Sequence, residues 1–531
     1  LGKIFAWFGK SPLYQPMYRR FPYPMSFLRT GLWLLLAWIS WRCNSSNHRQ
    51  LATDSADTTV PTAIRKTDQG YELLRYGKPY FIQGAGCVNR FEQLRAIGGN
   101  SVRTWDTHDA QRILDEAHKL GMTVTLGLWV GRWQEGFEYK NQKLLDEQYQ
   151  QLKKEVLKFK DHPALLMWCV GNEWNQDVRE IEVFDEINRL ARMVHEVDPN
   201  HPVTTALSIQ PARNYQLVVE RCRELDILSI NVYKELPEVP NRLEAAGWKG
   251  PYILSEFGIP GYWQVNQTPW EAPIEPNSRE KYELLRAAYS THIASRPPKC
   301  LGGYAFFWGH KQEQTRTWYS YFDETGKATS MVELIQEFWI GKKPTNLAPV
   351  ASRLLIDSQP LYYATFAVSD TIRIARFDVR DPDGDPLHFR WDLRRDTTLW
   401  GDLEFRELQS FPEQLVRQQG DQLLFRFPPK PGLYRLYAFA YDNHGHVATA
   451  NMPFQIEPVK IEKPIAGQRP SGGRQQASSR ALGNRSGQLV GMADNHPRNA
   501  PLQRPKGVVE LRDHALVNDA RRPVVSVSGG R

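Results

Sequence analysis

Two apolar runs in this 531-residue chain each end in a carboxylate. Leu165-Leu166-Met167-Trp168-Cys169-Val170 leads through Gly171-Asn172 to Glu173, and Tyr252-Ile253-Leu254-Ser255 leads to Glu256. Runs of this kind read as strands buried on both faces, as in a parallel sheet with helices packed outside it. In a closed (β/α)8 barrel the carboxyl ends of the strands face the mouth, where catalytic side chains gather. Two glutamates delivered there suit acid/base chemistry, provided their surroundings keep one protonated and the other ionised. Either one alone is also explained as a strand-end carboxylate paired with an arginine. The pair is what points to chemistry.

The elements that would position them can be read in order. Tyr71 to Gly84 reads as a hairpin turning at Gly77 into a first barrel strand. Strand-like runs follow at Asn100–Trp105, Met122–Trp129, Leu165–Glu173, Val203–Leu207, Leu225–Tyr233, Tyr252–Phe257 and Gly303–Trp308. Helical patterns fall between them: one capped by Thr107 and stopped by Gly121, one over Leu144–Phe159 with a solvated Lys/Glu face, one over Val178–Val197. Alternating strands and helices specify a parallel sheet, and eight strands in about 240 residues fit a TIM barrel. The expected fold class is therefore α/β: a (β/α)8 barrel over 61–341, a linker at 342–349, an all-β immunoglobulin-like sandwich over 350–460, and disordered ends.

Hydrolysis of a glycosidic bond with retention needs a proton donor and a nucleophilic carboxylate ~5–5.5 Å apart. Strands four and seven face each other across a barrel mouth, so Glu173 and Glu256 meet that demand. Gly171-Asn172-Glu173 and Ser255-Glu256-Phe257-Gly258 in this order resemble the retaining β-glycosidases of the large (β/α)8 clan that includes families two and five. The resemblance covers roughly residues 70–340. It implies Glu173 as acid/base and Glu256 as nucleophile, and it gives other strand ends roles. Arg103 would keep the nucleophile ionised, Asn172 would bond the sugar 2-hydroxyl, Tyr233 would hydrogen-bond Glu256, and Trp308 would lie under the sugar. The activity implied is cleavage of β-linked oligo- or polysaccharides by double displacement. A β-glucan transglycosylase would use the same residues, and a glycan-binding protein on an inactive barrel is the non-enzymatic alternative.

Tryptophans crowd the same loops: Trp105, Trp129, Trp133, Trp174, Trp263, Trp270, Trp308 and Trp318. Indole faces suit the C–H faces of sugars, and Trp129 and Trp174 are the further candidates for substrate contact. Trp168 and Trp174 are expected to leave Glu173 poorly hydrated. The histidines lack ligand spacing, so no metal or cofactor is expected, and only His310 lies near enough to the mouth to touch substrate.

The charge of +8 is confined to the ends: residues 1–60 carry +5 and 462–531 carry +7, leaving 61–461 at −4. A mildly acidic body argues against nucleic acid as partner. The five cysteines lack metal-type spacing and read as buried free thiols. Thr30–Trp41, uncharged and too short to span a bilayer, reads as the apolar part of an export signal with Met25 as a start, or as a retained anchor to a membrane or cell surface. Cys43 offers a lipidation site, though Ser40-Trp41-Arg42 matches the cleavage box poorly. An exported protein follows, with residues 44–60 as a tether. In the sandwich, Thr371–Phe377, Leu387–Trp391, Leu423–Phe427 and Tyr434–Tyr441 alternate as strands. Asp381, Asp383 and Asp385 read as a tight acidic turn rather than a calcium loop, and residues beyond Glu462 as a disordered basic tail.

Overall fold

The barrel is built from runs of Val, Ile, Leu and small residues whose side chains are buried on both faces. In the computed structural model, which describes residues 60–176, 178–209, 211–359, 365–396 and 408–458, they form β1 (Ile82–Gly86), β2 (Ser101–Arg103), β3 (Thr123–Leu128), β4 (Leu165–Asn172), β5 (Val203–Ser208), β6 (Ile227–Val232), β7 (Tyr252–Phe257) and β8 (Cys300–Ala305). All eight pair in parallel and close in the order β7-β8-β1-β2-β3-β4-β5-β6. At the closure Gly302 has φ +109°, and a Cβ there would lie 2.2 Å from the Ile82 carbonyl oxygen, so a side chain would push β8 off β1.

One helix follows each strand: α1 (Phe91–Ala96), α2 (Ala110–Lys119), α3 (Gln142–Phe159), α4 (Glu182–Val197), α5 (Arg213–Arg221), α6 (Val239–Ala245), α7 (Ser278–His292) and α8 (Ser330–Ile340). The reason each lies flat is its pattern. α2, for instance, turns Ile113, Leu114 and Ala117 inward, and α4 does the same with Ile187, Leu190, Ala191 and Val194. Asn277 caps α7 by accepting from Arg279 and Glu280 amides while Glu280 returns a bond to the Asn277 amide. The amino end of the barrel is plugged by Ile82, Leu166, Met167, Ile227, Ile253 and Leu301 together with Leu73 of an antiparallel hairpin, Thr62–Thr67 against Gly70–Arg75. Arg75 ties that hairpin down by donating to the Leu165 carbonyl at 2.8 Å. A cleft lies at the opposite, carboxyl end of the strands.

After α8 come two four-stranded sheets. β9 (Val350–Ile356), β11 (Ile372–Arg380), β14 (Gln422–Arg426) and β13 (Leu415–Gln419) make one, in the order β9-β11-β14-β13. β10 (Thr365–Ala367), β16 (Val447–Glu457), β15 (Gly432–Tyr441) and β12 (His388–Arg395) make the other, in the order β10-β16-β15-β12. Pairing is antiparallel except between β10 and β16. Phe377, Leu423 and Phe425 of the first sheet share one core with Leu436, Met452 and Phe454 of the second. β16 is also held to the barrel, its Thr449 amide donating to Ser278 Oγ at 3.1 Å and its Val447 amide to the Ala328 carbonyl at 2.9 Å.

Three expectations need correction. β8 ends at Ala305, not Trp308, so the chain turns out of the sheet before Phe306. The hairpin has an additional strand before Tyr71, and four sandwich strands, β9, β10, β13 and β16, were not anticipated. The Asp381 turn is built as expected: Asp381 Oδ1 accepts from the Asp383 and Asp385 amides at 2.9 and 3.0 Å. These three aspartates are the group of carboxylates among the described residues with the spacing to hold an ion. Cys87, Cys169, Cys222 and Cys300 are free and buried. Cys43, the export segment, the tether and the tail lie outside the described residues, and no described helix is long and apolar enough to cross a membrane.

Candidate active site

The last turn of β4 decides where its carboxylate points. Gly171 has φ +76° and Glu173 φ +51°, a left-handed pair that bends the chain over the barrel mouth. Trp174 fixes the bend from behind: a Cβ on Gly171 would sit 2.7 Å from its Cδ1, and its Nε1 donates to Thr205 Oγ1 at 2.8 Å. The Glu173 amide donates to the Ala206 carbonyl on β5 at 2.8 Å. On β7 the pairing with β6 slips between Leu254 and Glu256, which brings Glu256 up at the rim.

Glu256 is 5% exposed and held by three donors. Its Oε1 accepts from Arg103 Nη1 at 2.7 Å and from Trp105 Nε1 at 2.9 Å, and its Oε2 accepts from the Tyr233 hydroxyl at 2.8 Å. Three donors, one of them a guanidinium, fix both of its oxygens in place. Arg103, fully buried, also donates to the Ser255 carbonyl and, through Nη2, to Asn172 Oδ1 at 2.6 Å. Burial opposes the guanidinium's charge, but Glu256, Cys169 and Glu173 raise its pKa above the ordinary arginine value. Burial and the charge of Glu256 push the Tyr233 phenol well up, so it stays a donor.

Glu173 stands in different surroundings. Its Oε1 accepts from Asn231 Nδ2 at 3.1 Å and its Oε2 from Gln176 Nε2 at 2.8 Å, both neutral donors. Burial first, and then the charge of Glu256, raise its pKa to about 7, with Glu313 adding to the rise and Asn231 and Arg103 opposing it. One carboxyl is thus poised to carry a proton near neutrality, and the other is bonded to a guanidinium, an indole and a phenol, two surroundings as unlike as two-carboxylate catalysis requires.

Both glutamates line a cleft of about 740 Å³ at the carboxyl end of the barrel. Asn172, Tyr233 and Trp129 line it too, and Arg103 lies directly beneath through its bonds to Glu256 and Asn172. With Oδ1 of Asn172 taken by Arg103 and Asn231, its Nδ2 is the half of the amide left to face a ligand. Three expected contacts are not in the cleft. Trp308 is fully buried, donates to the Arg90 carbonyl at 3.2 Å and packs on Tyr321 and Phe322. Trp174 lies behind the β4 turn, and Trp168 points out of the barrel to Asp198. His310 is set among Arg316, Asp323, Arg390 and Arg90; burial, then the charge of Arg316, lowers its pKa to about 4.

The aromatic walls are instead Trp105, Trp263, Phe306 and Phe307. Trp105 packs edge-on to Phe306 at 6.0 Å, and Trp263 edge-on to Tyr233 at 5.9 Å. Besides Gln176, which donates to Glu173, two residues in contact with the glutamates had not been singled out for those roles. Asn231 bridges Asn172 and Glu173 and is itself fixed by Ser255 Oγ at 2.7 Å. Trp105 donates to Glu256. Both had a legible signal, since Asn231 stands two residues before Tyr233 and Trp105 two after Arg103, the spacing that an extended chain carried past β6 and β2 would place on one face.

Residues 82–261 match the family described as glycosyl hydrolases family 2, TIM barrel domain. Human beta-glucuronidase is 22% identical over 264 residues, covering 43% of this chain and 39% of the relative. Among solved structures, Bacteroides uniformis beta-glucuronidase 2 covers 75% of this chain and 48% of its own, with 14% identity and a TM-score of 0.40. Faecalibacterium prausnitzii beta-glucuronidase covers 54% and 52%, with 18% identity and a TM-score of 0.42. This chain therefore spans about half the length, or less, of these relatives. Over residues 82–261, which carry β1 to β7, the barrel of this chain is similar to the TIM barrel domain of the glycosyl hydrolases family 2.

Proposed function

We propose that this chain is a retaining β-glycoside hydrolase in which Glu256 is the nucleophile and Glu173 the acid/base. Glu256 attacks the anomeric carbon from one face while Glu173 gives its proton to the departing oxygen. The glycosyl-enzyme ester is then opened by a water that Glu173 deprotonates, and Glu256 leaves as a carboxylate. The observation that carries the reading is the contrast between the two carboxyls, one pushed to about 7 by burial and its neighbour's charge, the other bonded to Arg103, Trp105 and Tyr233. Asn172 is proposed to hold the 2-hydroxyl of the sugar, and the substrate is a β-linked oligo- or polysaccharide. Because the matched human relative is a beta-glucuronidase, an aryl β-glucuronide belongs first in the assay, beside β-galactoside, β-mannoside and β-glucoside.

Proton NMR of the first sugar released tests the mechanism. Retention requires the β-anomer to appear first and mutarotate later; an α-anomer as the first product contradicts the double displacement. On sequence alone we also propose export, with attachment to a membrane or cell surface through residues 30–41, and an immunoglobulin-like character for the sandwich.

A further inference from the structure

Besides Glu173 and Glu256, the cleft is lined by Glu135, Glu235 and Glu313. Glu313, on the loop that follows β8, lines it and is 8% exposed; Lys311 pairs with it and lies 5.0 Å over the Phe306 ring. The backbone carrying Glu313 is a tight turn: the Glu313 amide donates to the Thr315 carbonyl at 3.0 Å, the Thr315 amide returns a bond at 2.6 Å, and Gln314 between them has φ +58°.

What holds it is a buried polar chain running into the sandwich. Thr315 Oγ1 donates to Glu275 Oε2 at 2.5 Å. Lys281 Nζ donates to Glu275 Oε1 and to the Thr317 carbonyl, both at 2.5 Å. Asn451 of β16 donates through Nδ2 to the same Glu275 Oε2 at 2.6 Å and to Thr317 Oγ1 at 3.2 Å. Arg435 of β15, fully buried, donates to Asn451 Oδ1 at 2.6 Å, to Asp396 Oδ2 at 3.0 Å and, from Nη2, to the Pro273 carbonyl at 3.0 Å. Farther along the loop Arg316 pairs with Asp392 of β12 at 2.7 Å. The loops after β7 and β8, which wall the cleft, are thus fastened to the sandwich by buried bonds whose partners have no water to fall back on.

We propose that the sandwich, through Asn451, Glu275 and Thr315, holds the turn that keeps the Glu313 carboxylate in the cleft wall, so that Glu313 works beside Glu173 and Glu256 and Thr315 is a positioning residue for it. The proposal rests on the hydrolase reading for what the cleft does. Charged and titratable groups set against Glu173 are Glu256 from β7, Arg103 from β2, Tyr233 after β6, Tyr215 from α5, and Glu313 and Tyr319 from the β8 loop. Asn231 and Gln176 bond it, and Arg132, Glu135, Arg213, Glu235 and Lys311 line the same cleft. Removing the charge of Glu313, or letting it swing into solvent, leaves Glu173 with one fewer anion beside it, and its proton leaves at lower pH. Glu313 and Lys311 also offer hydrogen bonds to sugar hydroxyls, each worth about two- to tenfold in affinity.

The test uses the full chain with Glu313→Gln, Thr315→Val, Thr315→Ser and Asn451→Ala, each checked for folding by circular dichroism. Infrared titration reads the Glu173 carboxyl directly in resting protein, its band assigned by its loss in Glu173→Gln. The midpoint is expected to fall in Glu313→Gln, to fall less in Thr315→Val and Asn451→Ala, and to stay with wild type in Thr315→Ser. On an aryl β-glycoside Thr315→Val is expected to raise KM about two- to tenfold and to bring the alkaline limb of kcat to lower pH. An unchanged midpoint in Thr315→Val, or activity reduced equally at every pH, overturns the proposal. If wild type turns over no aryl β-glycoside, the hydrolase reading fails, while the infrared midpoints still decide whether the sandwich positions Glu313.

Discussion

The proton on Glu173 ties chemistry to stability. Its pKa, raised to about 7 from an ordinary 4.5 by burial and then by Glu256, means that between those values the folded protein keeps a proton the unfolded chain has lost. Stability therefore falls as pH rises through that window and is fully present below it. Glu173→Gln removes the charged form, so its Tm is expected to exceed wild type at pH 8.5 and to equal it at pH 4. Glu333, which burial also raises to about 7, is present in both proteins and cancels. A variant no more stable than wild type at pH 8.5 would show that Glu173 is an ordinary solvated carboxylate.

Residue types and spacing brought Glu173, Glu256, Arg103, Asn172 and Tyr233 together on paper, because each stands at or next to the carboxyl end of a buried strand, the end that faces the mouth. Trp308 and His310 failed for the opposite reason: they follow Ala305, beyond the last strand residue, where no period says which way a side chain turns.

The decisive element is the end of β4. A strand period alone would carry Glu173 on past the mouth; the left-handed Gly171 and Glu173 bend it inward, and Trp174 fills the space a Cβ at 171 would need. Gly171→Ala is expected to cost about 1–3 kcal/mol in chemical denaturation and to lower kcat, since Glu173, the proposed acid, moves. Equal kcat in the two proteins would show that the bend is not needed. The barrel strands were legible because a parallel sheet covered on both faces reads as apolar runs. β16 was not, since it is buried nearly throughout and keeps Thr449 and Asn451 inside as polar anchors, so it shows neither alternation nor a clean apolar run.

At the scale of the molecule the sandwich is more than a neighbour in sequence. Its composition identified a β-rich segment but said nothing of what it touches, because the anchoring residues, Asn451 and Arg435, are polar and look like surface. Cutting the chain after residue 349 would strip Asn451 and Arg435 from a buried network and leave Glu275, Lys281 and Thr317 with partners missing. Breaking a buried charged network costs about 3–5 kcal/mol from a total stability of about 5–15 kcal/mol. The truncated barrel is expected to melt well below the full chain and to bind substrate poorly; a barrel fragment with unchanged Tm and KM would contradict the docking described above.

The pairing of Glu173 with Glu256 is tested most directly at the nucleophile. Glu256→Ala, in the full chain and on the aryl β-glycoside that wild type turns over best, is expected to lose activity almost wholly while binding is kept. Added azide is expected to restore part of it by attacking from the vacated face, giving an α-glycosyl azide. Wild-type turnover in Glu256→Ala, or a rescued product of β configuration, would contradict the assignment of Glu256 as the nucleophile.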